Sequence, residues 1–176
     1  MAVTTPVLQT ERLELRAPVA SDFKANMAIV SHEITGRYLG SQSSPADHFA
    51  RFCRNAGSWL LYGYGFFALR LRGEEGLIGT CGVFHSFRGL GPDFDDQPEA
   101  GWILRHDQVG RGLALEAMSA VLDWFASEHG RQRIVCMIEP PNEPSIKLAG
   151  KLGFTPMREA QMPNGDHVRL FERLSG

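Results

Sequence analysis

Leu13 and Leu15 alternate with Arg12, Glu14 and Arg16, the two-residue period of a strand with one buried face. Ser21 or Asp22 then caps a helix that carries Phe23, Met27 and Val30 along one side. Residues 36–45 read as a loop, and a second helix starts near Ser44 and closes at Gly57. These two helices are expected to border a cleft. Two strand-like runs, 66–71 and 77–84, are joined by Gly73-Glu74-Glu75-Gly76 as an antiparallel hairpin. A long polar loop from His85 to Pro98 follows, with Asp93, Asp95 and Asp96 in its second half. Residues 99–105 form a strand that enters a glycine-rich turn. Beyond it, Leu113, Ala117, Ala120, Val121 and Trp124 make the apolar stripe of a helix over 111–129, closed by Gly130. The nearly continuous apolar run 134–138 has the pattern of a central strand. Pro140-Pro141 end it, Asn142 or Ser145 opens another helix closing near Gly153, and 154–173 read as a hairpin around Pro163-Asn164-Gly165-Asp166.

The chain of 176 residues shows no repeat, linker or low-complexity segment, so residues 1–176 are expected to form a single domain. A net charge of −2 removes the global case for a nucleic-acid partner, which needs a basic excess. Residues 1–6 lack a signal-peptide pattern, and no apolar run approaches the roughly 20 residues of a bilayer span. No membrane association and a cytoplasmic location are therefore expected. Cys53, Cys81 and Cys136 form no CxxC pair and read as reduced, buried thiols. The six histidines show neither i, i+4 nor HExxH spacing, so no metal site is assigned.

The turn Gln108-Val109-Gly110-Arg111-Gly112-Leu113-Ala114 lies between the strand and the long helix. Glycines there let the backbone turn sharply and aim several N–H groups outward at a helix N-terminus, which makes an anion site. A dinucleotide fingerprint would need a small residue at Leu115 and an acidic one about 20 residues on, where Arg131, Gln132 and Arg133 stand. A P-loop would need a closing Gly-Lys-Ser/Thr, which is absent. The reading that remains is a cradle for the pyrophosphate of coenzyme A.

Val109 to Ala114, continued by Leu115-Glu116-Ala117, resembles the Gln/Arg-x-x-Gly-x-Gly/Ala signature of the GCN5-related N-acetyltransferases, with Val109 at the first position where Gln or Arg is usual. Three further segments agree in order and spacing with the ribosomal-protein-acetyltransferase-like branch. Thr10 to Arg16 resembles its opening strand, Gly76-Leu77-Ile78-Gly79 its hairpin, and Asn142-Glu143-Pro144-Ser145 with Lys151-Leu152-Gly153-Phe154 its Asn-x-x-Ser…Lys-x-Gly-Phe segment. The resemblance implies an α/β domain with a mixed, mostly antiparallel sheet flanked by helices and splayed at its centre. It implies acetyl-CoA as co-substrate and a primary amine, of a protein N-terminus or a small molecule, as acceptor. A homodimer stays open.

The N–H groups of Val109, Gly110, Arg111, Gly112, Leu113 and Ala114 would hold the pyrophosphate. By the resemblance, main-chain groups near Ile103 and Leu104 would pair with the pantetheine amides, and Asn142 and Ser145 would meet the arm and thiol. Asn142 and Ser145 read equally well as helix caps. A protonated amine must lose a proton before it attacks. Glu99 is the first candidate base, Glu139 the second, and His85 a candidate relay. Met137 stands where some N-terminal acetyltransferases of the family carry a glutamate. Ser145 is the candidate hydroxyl for the leaving thiolate. Asp93, Asp95 and Asp96 are candidates for attracting a cationic acceptor, and Tyr62 and Tyr64 for a loop shaping its pocket. A non-catalytic coenzyme A-binding sensor or partner-binding module is the alternative.

Overall fold

A computed structural model describes residues 6–40 and 44–174. Residues 1–5, most of the stretch read for targeting, and 41–43 of the first loop lie outside it. Its strands are β1 (Val7–Gln9), β2 (Leu13–Arg16), β3 (Phe66–Leu71), β4 (Leu77–Ser86), β5 (Gln97–Leu104), β6 (Ile134–Ile138), β7 (Thr155–Gln161) and β8 (His167–Arg173). Its helices are α1 (Phe23–Val30), α2 (Glu33–Gly36), α3 (Pro45–Tyr62), α4 (Leu113–His129) and α5 (Glu143–Lys151). The strands form one eight-stranded sheet in the order β1-β2-β3-β4-β5-β6-β8-β7. Every neighbouring pair is antiparallel except β5 and β6. The expected sheet class is thus observed.

The parallel pair is joined only at Glu99↔Val135, whereas β4 and β5 pair continuously from Gly79↔Leu104 to Ser86↔Gln97. The two central strands therefore part beyond Glu99. Alternation fixes what each face of β5 carries. Ala100, with Trp102 packed beside it, joins the main core against Leu113, Ala117, Met118 and Val121 of α4. Glu99, Gly101 and Ile103 face the other way, toward α1, α3 and the β4–β5 loop. A Cβ on Gly101 would meet the Phe66 and Phe84 rings at 3.0 and 3.3 Å, so glycine lets these stacked rings lie against the strand.

Three sequence expectations need correction. Helix α3 passes through Gly57 and runs to Tyr62, closed by Gly63 at φ 76°. Ser58 and Trp59 are 5% exposed, so packing of the last turn carries the helix past a glycine. Trp59 to Tyr62 are accordingly helical, and only Gly63 to Gly65 turn. Asp22 occupies the start of α1 without capping it, because its carboxylate binds Arg16 at 2.7 and 2.8 Å and accepts the Val19 N–H at 2.8 Å. Cys81 and Cys136 are buried, but Cys53 is exposed on α3. Burial pushes both buried thiols above their ordinary range.

The β4–β5 loop, expected over 85–98, spans only 87–96 because β4 and β5 pair as far as Ser86↔Gln97, and it also differs from the polar segment expected. Leu90 and fully buried Phe94 pack with Val135, Val168 and Leu170 in a second apolar cluster. Asp95 accepts the N–H groups of Arg88 and Gly91 at 2.8 and 3.0 Å. The loop is therefore pinned against β6 and β8.

Candidate active site

The turn before α4 holds both glycines of the sequence motif, and the helix starts at Leu113 rather than 111 because Gly112 takes the left-handed cap position. Gly110 and Gly112 take φ 81° and 77°, values open to glycine at little cost. The N–H groups of Gly110, Arg111, Gly112, Leu113, Ala114 and Leu115 have no hydrogen-bond partner among the described residues. Open space surrounds the position a Gly110 side chain would take. Helix dipole and unpaired donors thus converge on one anion cradle. The Val109 N–H differs, pointing back to the His106 carbonyl at 3.5 Å. Arg111 turns its guanidinium onto buried Gln108.

An ionic brace ties this cradle to the opening strand. Glu116, in the first turn of α4, accepts from Thr10 Oγ1 at 2.5 Å, from the Arg12 N–H at 2.9 Å and from Arg12 Nε at 2.7 Å. Arg12 Nη1 also donates to the Arg111 carbonyl at 2.9 Å. Burial works against ionisation of Glu116, but the Thr10 and Arg12 hydrogen bonds outweigh it and hold the carboxyl below its usual value. Its charge is thereby directed to Arg12, leaving the cradle fit for a diphosphate.

Ile103 and Leu104 lie on the arm of β5 that has separated from β6. Their β6-facing main-chain edge lacks a strand partner, as an amide-bearing arm would require. Asn142 caps α5, its Oδ1 accepting the Ser145 N–H at 3.3 Å. Trp102 Nε1 donates to Ser145 Oγ at 3.2 Å. Indole is a donor only, so Ser145 accepts this bond and keeps its own O–H free to donate. Trp102 was not among the sequence candidates.

Glu99 sits at the vertex of the splay and is 3% exposed, unlike the solvated end of a strand. Arg88 donates from Nε to Oε2 and from Nη2 to Oε1, each at 2.7 Å, and Ser86 Oγ donates to Oε2. A carboxylate has about four lone-pair sites. Oε1, with one donor, retains an acceptor site. Glu139 lies at the end of β6, where Gly40 N–H donates to Oε1 at 3.2 Å. Burial raises its pKa above the ordinary value, opposed by that bond and assisted by Asp166.

The remaining candidates are distributed differently. His85 lies on the α4 face of the sheet, with Nδ1 3.2 Å from the Tyr64 hydroxyl, Nε2 2.9 Å from Asp96 and Tyr62 stacked on its ring at 4.1 Å. Tyr64 packs on Phe125 and His129 at the far end of α4. This aromatic cluster is across the sheet from Glu99, so His85, Tyr62 and Tyr64 do not join the splay. Asp93 binds Arg158 at 2.7 Å and Asp95 serves the loop backbone.

A cavity of about 50 Å³ lies on the Glu99 face, lined by Asn26 and Val30 of α1, by His48, Arg51 and Asn55 of α3, and by Ile103 of β5 among others. Helices α1 and α3 thus do border a cleft. Among the described residues, no helix is long and apolar enough to cross a membrane, and no cluster of His, Cys, Asp and Glu is suited to a metal.

A solved protein of Bordetella pertussis classed as a GNAT-family acetyltransferase superposes with a TM-score of 0.84 at 34% identity, over 96% of this chain and 99% of that one. An N-acetyltransferase of Bacillus licheniformis, p20, is 32% identical over 88 residues, 50% of this chain. Together with YnaD of Bacillus subtilis it is matched over about half its own length, 47% and 48%. RimL, a ribosomal L7/L12 α-N-protein acetyltransferase solved in complex with coenzyme A, shares the fold with a TM-score of 0.73 at 18% identity, over 96% of this chain and 98% of that one. The family model of the acetyltransferase (GNAT) domain matches residues 12–155. The eight-stranded, mostly antiparallel sheet agrees with that match, and the chain belongs to the GNAT acetyltransferase family.

Proposed function

We propose that this protein transfers the acetyl group of acetyl-CoA to a primary amine. The observation that carries the reading is the unpaired N–H array of residues 110–115, placed at the end of a strand that parts from its neighbour. The coenzyme A complex of RimL supports the same use of the fold. When bound, acetyl-CoA supplies a thioester carbonyl and a thiolate leaving group.

The chain's residues divide the work by sheet face. The array at Gly110 to Leu115 holds the pyrophosphate, and the free edge of Ile103 and Leu104 orients the arm between the splayed strands. On the α1–α3 face, Glu99 Oε1 accepts one proton from the ammonium, with Glu139 as the second candidate. On the α5 face, Ser145 Oγ donates toward the thiolate sulfur. The C–N bond forms as the C–S bond breaks. The nitrogen gives up a second proton as the amide forms, so one acetamide, one thiol and one proton result.

Thermal-shift titration with acetyl-CoA, coenzyme A and NAD tests the cofactor on wild type and Gly112→Asp. Both coenzyme A species are expected to raise Tm in wild type, with no response in the variant or to NAD. Absence of a shift would overturn the reading. Binding without thiol release on a panel of primary amines would favour a coenzyme A-binding module instead.

A further inference from the structure

The charge of the cleft reaches beyond cofactor and fold. Helix α3 carries His48, Arg51 and Arg54 along successive turns; His48 and Arg51 line the cavity beside Ile103. Arg51 and Arg54 make no hydrogen bond or ion pair among the described residues. The nearest acidic residue on their helix, Asp47, is engaged by Ser44 in the α3 capping box. Arg88 is the third cation, and its fork is already filled by Glu99.

These groups sense one another. Burial lowers the proton affinity of Arg54, and so do neighbouring Arg88 and Arg51, whereas Glu99 raises it. Burial and Arg88 lower that of Arg51, opposed by Asp47. Arg51 on the cavity wall and Arg54 one turn further along α3 thus stand without an ion-pair partner among the described residues, and Arg54 is within electrostatic reach of the vertex carboxylate. Guanidinium forks match carboxylate and phosphate geometry and bind them by paired charge-assisted bonds.

We infer that the acceptor is a small amine that also carries an oxyanion, carboxylate or phosphate, which Arg51 and Arg54 seat while the amine faces Glu99. This rests on the acetyl-transfer reading. A bare ammonium ion is repelled by the two arginines, whereas a zwitterion enters near neutrality. The same positive field favours the uncharged amine needed for attack. The cavity beside Ile103 is small, about 50 Å³, and has Arg51 in its wall, which favours a small anionic acceptor over a polypeptide.

Thiol release from acetyl-CoA is measured with L-amino acids against their carboxamides, with phosphoethanolamine against ethanolamine, and with N-terminal peptides. The anionic member of one pair is expected to be favoured at least about tenfold in kcat/KM, and the pair that responds separates carboxylate from phosphate. Arg51→Gln and Arg54→Gln are expected to raise KM for that acceptor about tenfold without changing KM for acetyl-CoA. Equal use of charged and neutral partners, or preference for peptides, overturns the inference while leaving acetyl transfer intact. Calorimetric titration with sodium acetate and sodium phosphate reads the anion site apart from turnover. Wild type is expected to bind one of them, and Arg51→Gln with Arg54→Gln to lose it; no binding by wild type overturns the inference even if no amine is acetylated.

Discussion

At the residue scale, Ser145 shows how one side chain is freed for chemistry. Its N–H fills the cap offered by Asn142, and its Oγ accepts from Trp102. Both structural duties leave the hydroxyl hydrogen unused. Ser145→Ala retains the N–H and hence the cap, so it isolates the hydroxyl. It is expected to lower kcat about a hundredfold, within the range for one positioned acid, while leaving the thermal shift with coenzyme A unchanged. Unchanged kcat would remove Ser145 from the chemistry. The serine was legible because Asn142-Glu143-Pro144-Ser145 is a local pattern. Its indole partner was not, because the contact spans 43 residues and depends on which face of β5 Trp102 occupies.

At the element scale, β5 and the loop before it act as one device. Two-residue alternation sends Glu99 and Trp102 to opposite faces, so base and thiolate donor approach the splay from opposite sides. The strand's existence, the hairpin 66–84 and the helix over 113–129 were legible because each has a sustained local period. The splay was known only through resemblance, since it depends on where pairing to a strand some 30 residues away stops. The loop 87–96 was read by its acids, yet Phe94 and Leu90 anchor it and Asp95 positions the Arg88 backbone. Phe94→Ala is therefore expected to destabilise by about 3–5 kcal/mol, as for a buried phenylalanine, measured by urea unfolding. Because Arg88 would lose its support on Glu99, kcat should fall more than coenzyme A affinity. A stability loss with undisturbed kcat would make the loop only a cover. Gly57 marks the limit of reading helix ends: glycine ends a helix when the chain takes the left-handed turn, which here Gly63 does.

At the scale of the whole molecule, carboxylates bind segments distant in sequence. Glu116 joins α4 to residues 10 and 12 and Asp93 joins the β4–β5 loop to Arg158 of β7, while Asp22 makes the shorter-range pair with Arg16. Burial opposes ionisation of Asp22 and Asp95, but Arg16 and backbone N–H groups respectively prevail and leave each folded-state pKa lowered. Lowered folded values mean that the native state holds fewer protons than the unfolded chain, whose carboxyls titrate near 3.8 and 4.5. Their stabilisation is complete above those unfolded values and disappears as pH falls through the lower folded ones. Glu139, raised by burial, has the opposite sign and loses its contribution as pH rises through its folded value. Among the described residues six carboxyls, Asp22, Asp47, Asp93, Asp95, Asp107 and Glu116, are lowered and Glu139 alone is raised, so Tm should be steady near neutrality and fall steeply below about pH 4.5. Glu116→Gln keeps the side-chain shape and removes the charge, at an expected cost of about 1 kcal/mol, or roughly 2–4 °C in a domain of this size. That difference should be present at pH 7 and shrink toward pH 3, because the wild-type carboxyl is then protonated too. A difference independent of pH would mean that the brace between α4 and the opening strand is held by shape and neutral hydrogen bonds rather than by the charge of Glu116.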